Sequence, residues 1–171
     1  MGNGGFVVVT DRGGHLHNAR MLLEQMRVTP RAILTTYGPE LRGLKESGSA
    51  VYRIPYLFSW LGKARILNPF KSLYSFAHAF FMAAKLRPQQ VVSLGAADVV
   101  PFCLAARFFG AQIFHVECMN QVHSPSITGR LLYPICKALY VQWPELLGRY
   151  GPKARYAGWV LEKPSVEKGR P

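Results

Sequence analysis

The segment Thr10-Asp11-Arg12-Gly13-Gly14-His15 joins a strand-like run to a helix-like one. Glycines there let backbone N–H groups approach a ligand, and a helix N-terminus favours an anion such as a diphosphate. A plain tight turn fits the same residues. The spacing is not GxGxxG, and no GxxxxGKS/T element occurs in the chain. His15 would feel the positive end of the helix dipole, which disfavours its protonated form. A neutral imidazole can act as a general base toward a hydroxyl; His15 or His17 can equally just cap or decorate the helix. A second polar segment, His115 to Arg130, is rich in Glu, Asn, Gln, His, Ser and Thr between two apolar elements, a composition that suits a sugar-binding lining. Within it Glu117 can accept a hydroxyl proton or hold a sugar hydroxyl. Ser126 or Thr128 can cap a helix, and Arg130 can face a phosphate or form a surface ion pair.

Alternating strand and helix patterns surround these segments. Strands are predicted at Phe6–Thr10, Ala32–Thr36, Val51–Phe58 (with an irregular end), Val91–Leu94, Gln112–Val116 and Leu139–Gln142. Helices are predicted at His15–Met26, Pro39–Glu46, Pro69–Leu86, Val99–Phe109 with Gly110 as its stop, and Thr128–Ala138 bent near Pro134. Continuous apolar strands alternating with helices imply an α/β fold, a Rossmann-like parallel sheet with helices on both faces. Ligands bind such sheets beyond the carboxyl ends of the strands, which directs attention to Asp11–His15, Gly95–Asp98 and Glu117–Gly129. One domain over residues 1–161 and a polar tail over 162–171 account for the chain.

The chain has 171 residues, 49% hydrophobic, with a formal charge of +12 from 21 Lys and Arg against 9 Asp and Glu. That composition excludes a disordered chain and predicts attraction to polyanions. Its three cysteines, Cys103, Cys118 and Cys136, show no CxxC spacing, which argues against a disulfide framework or zinc site and fits a reducing compartment. From Ser47 to Ala97 there is no Asp or Glu, while cations alternate with aromatic rings. Such a mixture suits an anionic bilayer surface, with Trp60, Lys63, Arg65, Phe70 and Lys71 as the expected contacts. Without a basic leader at Met1–Val9 or about 20 consecutive apolar residues, contact with the membrane is expected to be peripheral or through a partner. Single-stranded nucleic acid is the rival ligand for a basic, aromatic surface, but no matching recognition motif appears and the polar loops would be left without a role.

Several of these residues resemble a known family. Val92–Phe102, Val116-Glu117, Ser124–Pro134 and Val141–Glu145 look like the asparagine-linked glycosylation protein fourteen family, including its bacterial exopolysaccharide relatives of the PssD type. Gly13-Gly14-His15-Leu16 matches the N-terminal loop of that family, and MurG is more distantly similar. The resemblance implies the N-terminal, acceptor-binding half of a GT-B glycosyltransferase. A separate small subunit would supply the C-terminal half and most of the UDP-sugar site. It implies His15 and Glu117 as catalytic candidates, Gly13 and Gly14 near a diphosphate, and Asn120, Ser126, Thr128 and Arg130 lining the acceptor cleft. Asp11 and Arg12 depart from the small residues usual before the glycine pair, and Asp11 would repel a diphosphate. Eukaryotic members carry an N-terminal anchor; its absence here favours a bacterial-type protein on the cytoplasmic face of the membrane.

The expected chemistry is inverting transfer of N-acetylglucosamine or glucuronic acid to a polyprenyl-diphosphate-linked sugar. No cofactor or metal is expected, because no DxD pair of carboxylates is present. The expected partners are the small subunit, the lipid-linked acceptor and an anionic membrane, not nucleic acid. A competing reading is a non-catalytic scaffold that recruits a soluble transferase to the membrane.

Overall fold

A computed structural model of the chain describes residues 5–36, 48–61 and 64–160, with residues 59–61 and 64–66 in backbone only. The predicted helix at Pro39–Glu46, the side chains of Trp60, Lys63 and Arg65, and the tail 162–171 lie outside the described residues.

Seven strands form one sheet: β1 (Phe6–Thr10), β2 (Ala32–Thr35), β3 (Ala50–Arg53), β6 (Gln90–Leu94), β7 (Gln112–Val116), β8 (Cys136–Val141) and β9 (Ala154–Tyr156). Their order is β3-β2-β1-β6-β7-β8-β9, and every neighbouring pair is parallel. Burial on both faces explains the unbroken Val7-Val8-Val9 run: Val7 and Val9 enter one core cluster and Val8 the other. On the first face, helices α2 (Pro69–Leu86) and α3 (Val100–Phe108) pack Ala79, Met82, Ala83, Phe102 and Ala106 against the sheet. On the second, α1 (Gly14–Met26) supplies Leu16 and Ala19, and Val160 returns to the same cluster.

Helix ends follow local chemistry. Asn68 caps α2, its side-chain oxygen accepting the Lys71 N–H at 3.0 Å, and Pro69 takes the first helical position, where no N–H is needed. Gly110, at φ 90°, ends the α3 segment in a left-handed conformation that a side chain would disfavour. A single 3-10 turn, Ala97–Val99, precedes α3.

Two local expectations are corrected. The predicted helix Thr128–Ala138 stops as α4 (Ile127–Leu132), and Cys136 already begins β8. Pro134 offers no N–H to continue a helix, and pairing of Ile113–Val116 with β8 captures the residues that follow. The predicted strand Val51–Phe58 splits. After Arg53 and the non-strand residues around Pro55, Phe58 opens an antiparallel hairpin, β4 (Phe58–Leu61) with β5 (Ala64–Leu67). At the other edge, α5 (Leu147–Tyr150) and β9 are additional elements.

β1 is the topological switch point. The chain leaves β1 into α1 on one face and leaves β6 toward α3 on the other, opening a crevice at their carboxyl ends. Here the two loops touch: a Cβ on Gly95 would come within 2.8 Å of the Asp11 backbone nitrogen.

Candidate functional site

The turn after β1 is braced by Asp11. Its carboxylate accepts the Arg12 N–H at 2.8 Å and the Thr36 hydroxyl, and Thr36 Oγ1 also accepts from Arg12 N at 3.1 Å. The charge expected to repel a diphosphate is thus engaged within the turn. Gly13, at φ 70°, is the N-cap of α1 and contributes no side-chain cap. Among the described residues, Cβ atoms on Gly13 or Gly14 would meet nothing within 4 Å, so none of them covers this helix start. No acidic residue occupies the first turn, leaving the positive end of the α1 dipole unopposed from its own helix.

His15 sits half-buried in that first turn. Burial holds its imidazole below the ordinary histidine value, against the opposing pull of Asp11 and Glu117. The ring is therefore neutral at pH 7 and able to accept a proton. The glycine turn and the post-β7 loop both follow the carboxyl ends of parallel strands, β1 and β7. A contact from Asn18 Nδ2 to Met119 Sδ, at 3.7 Å, ties α1 to the same loop.

Glu117 itself is 1% exposed. Its carboxylate accepts from the Cys118 N–H (2.8 Å), the Ser126 N–H (3.2 Å), the Ser126 hydroxyl (3.0 Å) and the Tyr150 hydroxyl. It thereby closes the loop from Cys118 to Ser126 like a clasp. Ser126 is equally engaged: its hydroxyl also accepts from Gly129 N at 2.8 Å and caps α4. Of the two residues expected to cap, Ser126 does so, whereas Thr128 is buried within the helix. Gly129 has a steric reason to be glycine, because a Cβ there would overlap the Tyr150 hydroxyl and lie 2.5 Å from Glu117 Oε2. Asn120 and Arg130 remain exposed. The loop is held from behind by Gln142, which donates to the Glu117 carbonyl at 2.9 Å, and by Trp143, which donates to the Met119 carbonyl at 2.7 Å.

Sequence reasoning missed Tyr150, 33 positions from its partner Glu117, and no local pattern could have revealed it. It named the 95–98 loop but not the work of Asp98, a buried carboxylate that accepts the Leu57 N–H at 2.7 Å. That bond anchors the chain just before the β4–β5 hairpin. His115 was quoted without a role: it is buried, its Nδ1 lies 3.2 Å from Ser93 Oγ, and its Nε2 has no partner among the described residues. Cys103 and Cys136 are buried thiols, raised by that burial to about 12 and about 11.

Next to the crevice, α2 carries an exposed apolar face. Phe70 is 84% exposed, and Leu73, Tyr74 and Phe81 stand out beside it, with Lys71 exposed among them. Because α2 starts directly after the hairpin, Phe70 and Lys71 fall at its amino end, toward the carboxyl edge of the sheet. No helix among the described residues is long and apolar enough to cross a membrane.

Comparison with solved structures agrees with this architecture. MurG of Acinetobacter baumannii aligns with a TM-score of 0.68 at 22% identity, covering 90% of this chain and 44% of that one. A UDP-N-acetylglucosamine 2-epimerase from Rickettsia bellii aligns at 0.63 and 13% identity, again over 44% of its length. The fold is thus one Rossmann-like half of a GT-B architecture. In sequence, the UDP-N-acetylglucosamine transferase subunit ALG14 of Yarrowia lipolytica is 38% identical over 96 residues, 53% of this chain and 44% of that protein. The rat subunit of the same name is 24% identical over 180 residues, covering 92% of this chain and 83% of its own length. The chain therefore spans less than half of the first relative and most of the second. Residues 47–160, which hold the post-β7 loop, its Glu117 clasp and the α2 face, match the family described as oligosaccharide biosynthesis protein Alg14 like, and to that family this chain belongs.

Proposed function

We propose that this chain is the acceptor-binding, membrane-associating subunit of a two-component UDP-sugar-dependent glycosyltransferase. It would extend a polyprenyl-diphosphate-linked sugar with N-acetylglucosamine or glucuronic acid in glycan or exopolysaccharide biosynthesis. The observation that carries this reading is the juxtaposition of a neutral, half-buried His15, the open Gly13-Gly14 helix start and the clasped post-β7 loop at one sheet edge. The relatives' description as transferase subunits supports the reaction class.

In the proposed reaction the acceptor hydroxyl attacks the anomeric carbon of the UDP-sugar from the face opposite the leaving group. Its proton passes to His15, the bond from the anomeric carbon to the diphosphate oxygen breaks, and UDP departs. The α1 N-terminus at Gly13 and Gly14 receives negative charge from the acceptor diphosphate. Asn120, Thr128 and Arg130 belong to the loop and helix that border the acceptor, with Ser126 and Glu117 holding that border in shape. Of the two candidate catalytic residues, His15 suits the base, and Glu117, enclosed by four donors, suits positioning. Most of the nucleotide site would come from a small partner subunit, and closure of two chains over two substrates supplies proximity. Phe70 and Lys71, together with Trp60, Lys63 and Arg65, would rest on an anionic bilayer at the cytoplasmic face.

Co-expression with a small glycosyltransferase-like subunit, followed by assay with a polyprenyl-diphosphate-sugar and a panel of UDP-sugars, tests the proposal. Transfer that requires both chains is expected. Transfer by the partner alone would replace this reading with the scaffold one, which the exposed apolar face of α2 favours. His15→Ala separates the two within the complex: a loss of turnover of about 10²–10⁴-fold, with partner and liposome binding intact, is expected of a general base.

A further inference from the structure

On the far side of the Glu117 clasp lies a cavity of about 520 Å³, lined by Arg130, Arg149, His123, Ser124, Tyr133 and Tyr150. Its floor is the stacked pair Tyr133 and Tyr150, with ring centroids 5.8 Å apart. Tyr150 links this floor to the candidate site, because its hydroxyl donates to the Glu117 carboxylate. Arg130 comes from the last turn of α4 and Arg149 from α5, so separate elements deliver two guanidinium groups to one concavity. Both arginines are exposed, and neither guanidinium has a hydrogen-bond or ion-pair partner among the described residues.

Two unneutralised guanidinium groups sharing a cavity repel each other, and an anion between them removes that repulsion. Each guanidinium is a planar fork that binds one phosphoryl group in two parallel hydrogen bonds. Two forks carried by different helices match two linked phosphoryl groups better than one carboxylate. Ser124 and His123 add further donors at the wall, and the tyrosine floor offers an apolar surface to whatever ring or chain the anion carries.

We infer that the Arg130–Arg149 cavity binds the diphosphate group of a substrate. The assignment rests on the glycosyltransferase reading and adds to it a second anion site, distinct from the α1 N-terminus. Both the lipid-linked acceptor and the nucleotide donor carry a diphosphate, and the chemistry on the cavity wall is the same for either; a donor bound here leaves the acceptor diphosphate at the α1 N-terminus, whereas an acceptor bound here replaces that assignment.

The test has two stages. Isothermal titration of the full chain with inorganic pyrophosphate at low salt measures the site without requiring turnover. Arg130→Ala and Arg149→Ala are each expected to lower affinity at least about tenfold. Arg149→Lys, which keeps the charge and loses the fork, is expected to lie between, and Arg20→Ala on α1 to match the wild type. Circular dichroism and Tm confirm that the variants fold. No pyrophosphate binding, or binding unchanged by either alanine, overturns the site even if the complex proves to be a transferase. In the second stage the same variants are assayed in the complex. A raised KM for the polyprenyl-diphosphate acceptor supports the acceptor as the source, and a raised KM for the UDP-sugar supports the donor. Movement of neither KM overturns the assignment to a substrate.

Discussion

If His15 is the base proposed above, its burial sets a pH signature for the reaction. A base must be unprotonated to act, and this imidazole is held below 6.5. The acid limb of kcat/KM for the complex is therefore expected below pH 6.5, with a flat profile at neutral pH; His15→Ala should abolish that limb together with most of the rate. His115 predicts a stability effect instead. Burial lowers its folded-state value to about 4, with Glu117 opposing and His15 adding to the shift. Between pH 6.5 and about 4 the unfolded chain binds a proton that the native state refuses. Stability is therefore complete above 6.5 and falls with pH, by about 3 kcal/mol in total if the whole shift is expressed. Urea unfolding at pH 7 and pH 4.5 should show the decline, and His115→Gln should flatten it. The clasp gives a third expectation. Tyr150→Phe removes one of four donors to Glu117 and is expected to cost about 1.5–3 kcal/mol. Gly129→Ala must displace both the tyrosine and the carboxylate, so it should destabilise by at least about 1–3 kcal/mol. Thermal unfolding of the two variants measures both. At this scale His15, Ser126 and Gly13 could be found in the sequence because helix starts favour particular residue types. The Glu117–Tyr150 pairing could not, because it joins an edge helix to a distant loop.

Among the elements, the buried strands were legible because parallel strands covered on both faces are apolar at consecutive positions, as at Val91-Val92 and Ile113-Phe114. α2 was legible from Asn68-Pro69 at its start and the long apolar face. The hairpin was not, because nothing in Phe58–Leu67 marks its turn with Asn-Gly or Asp-Gly. β9 has three residues, two of them exposed, and so shows no apolar run. The Leu57 N–H just before the hairpin is held by a buried carboxylate, and this makes Asp98 testable. Asp98→Ala would leave the Leu57 N–H unsatisfied, at a cost of about 1–3 kcal/mol, and loosen the segment that leads to β4. Proteolysis near residues 54–58 is expected to accelerate, as checked by mass spectrometry of the fragments. On α2, Phe70→Ser and Leu73→Ser remove exposed rather than core groups. Vesicle sedimentation with anionic lipids should lose binding in the double variant while Tm hardly moves; unchanged sedimentation would remove α2 from the membrane contact.

For the molecule as a whole, the sheet order places β1, which precedes both of its neighbours in sequence, between β2 and β6. Val8 of β1 pairs on one side with Ile33 and on the other with Val92. During synthesis the first of these neighbours emerges early, while the second waits for most of the intervening chain. At about 5–20 residues per second, the apolar edge of β1 stays unpaired for roughly 4–17 s. That is long enough for the strand edge to meet another nascent copy or a chaperone, because the partner strand has yet to be made and unpaired strand edges are sticky. Synonymous changes that slow translation between β2 and β6 should therefore lower the soluble yield without altering any residue of the finished protein.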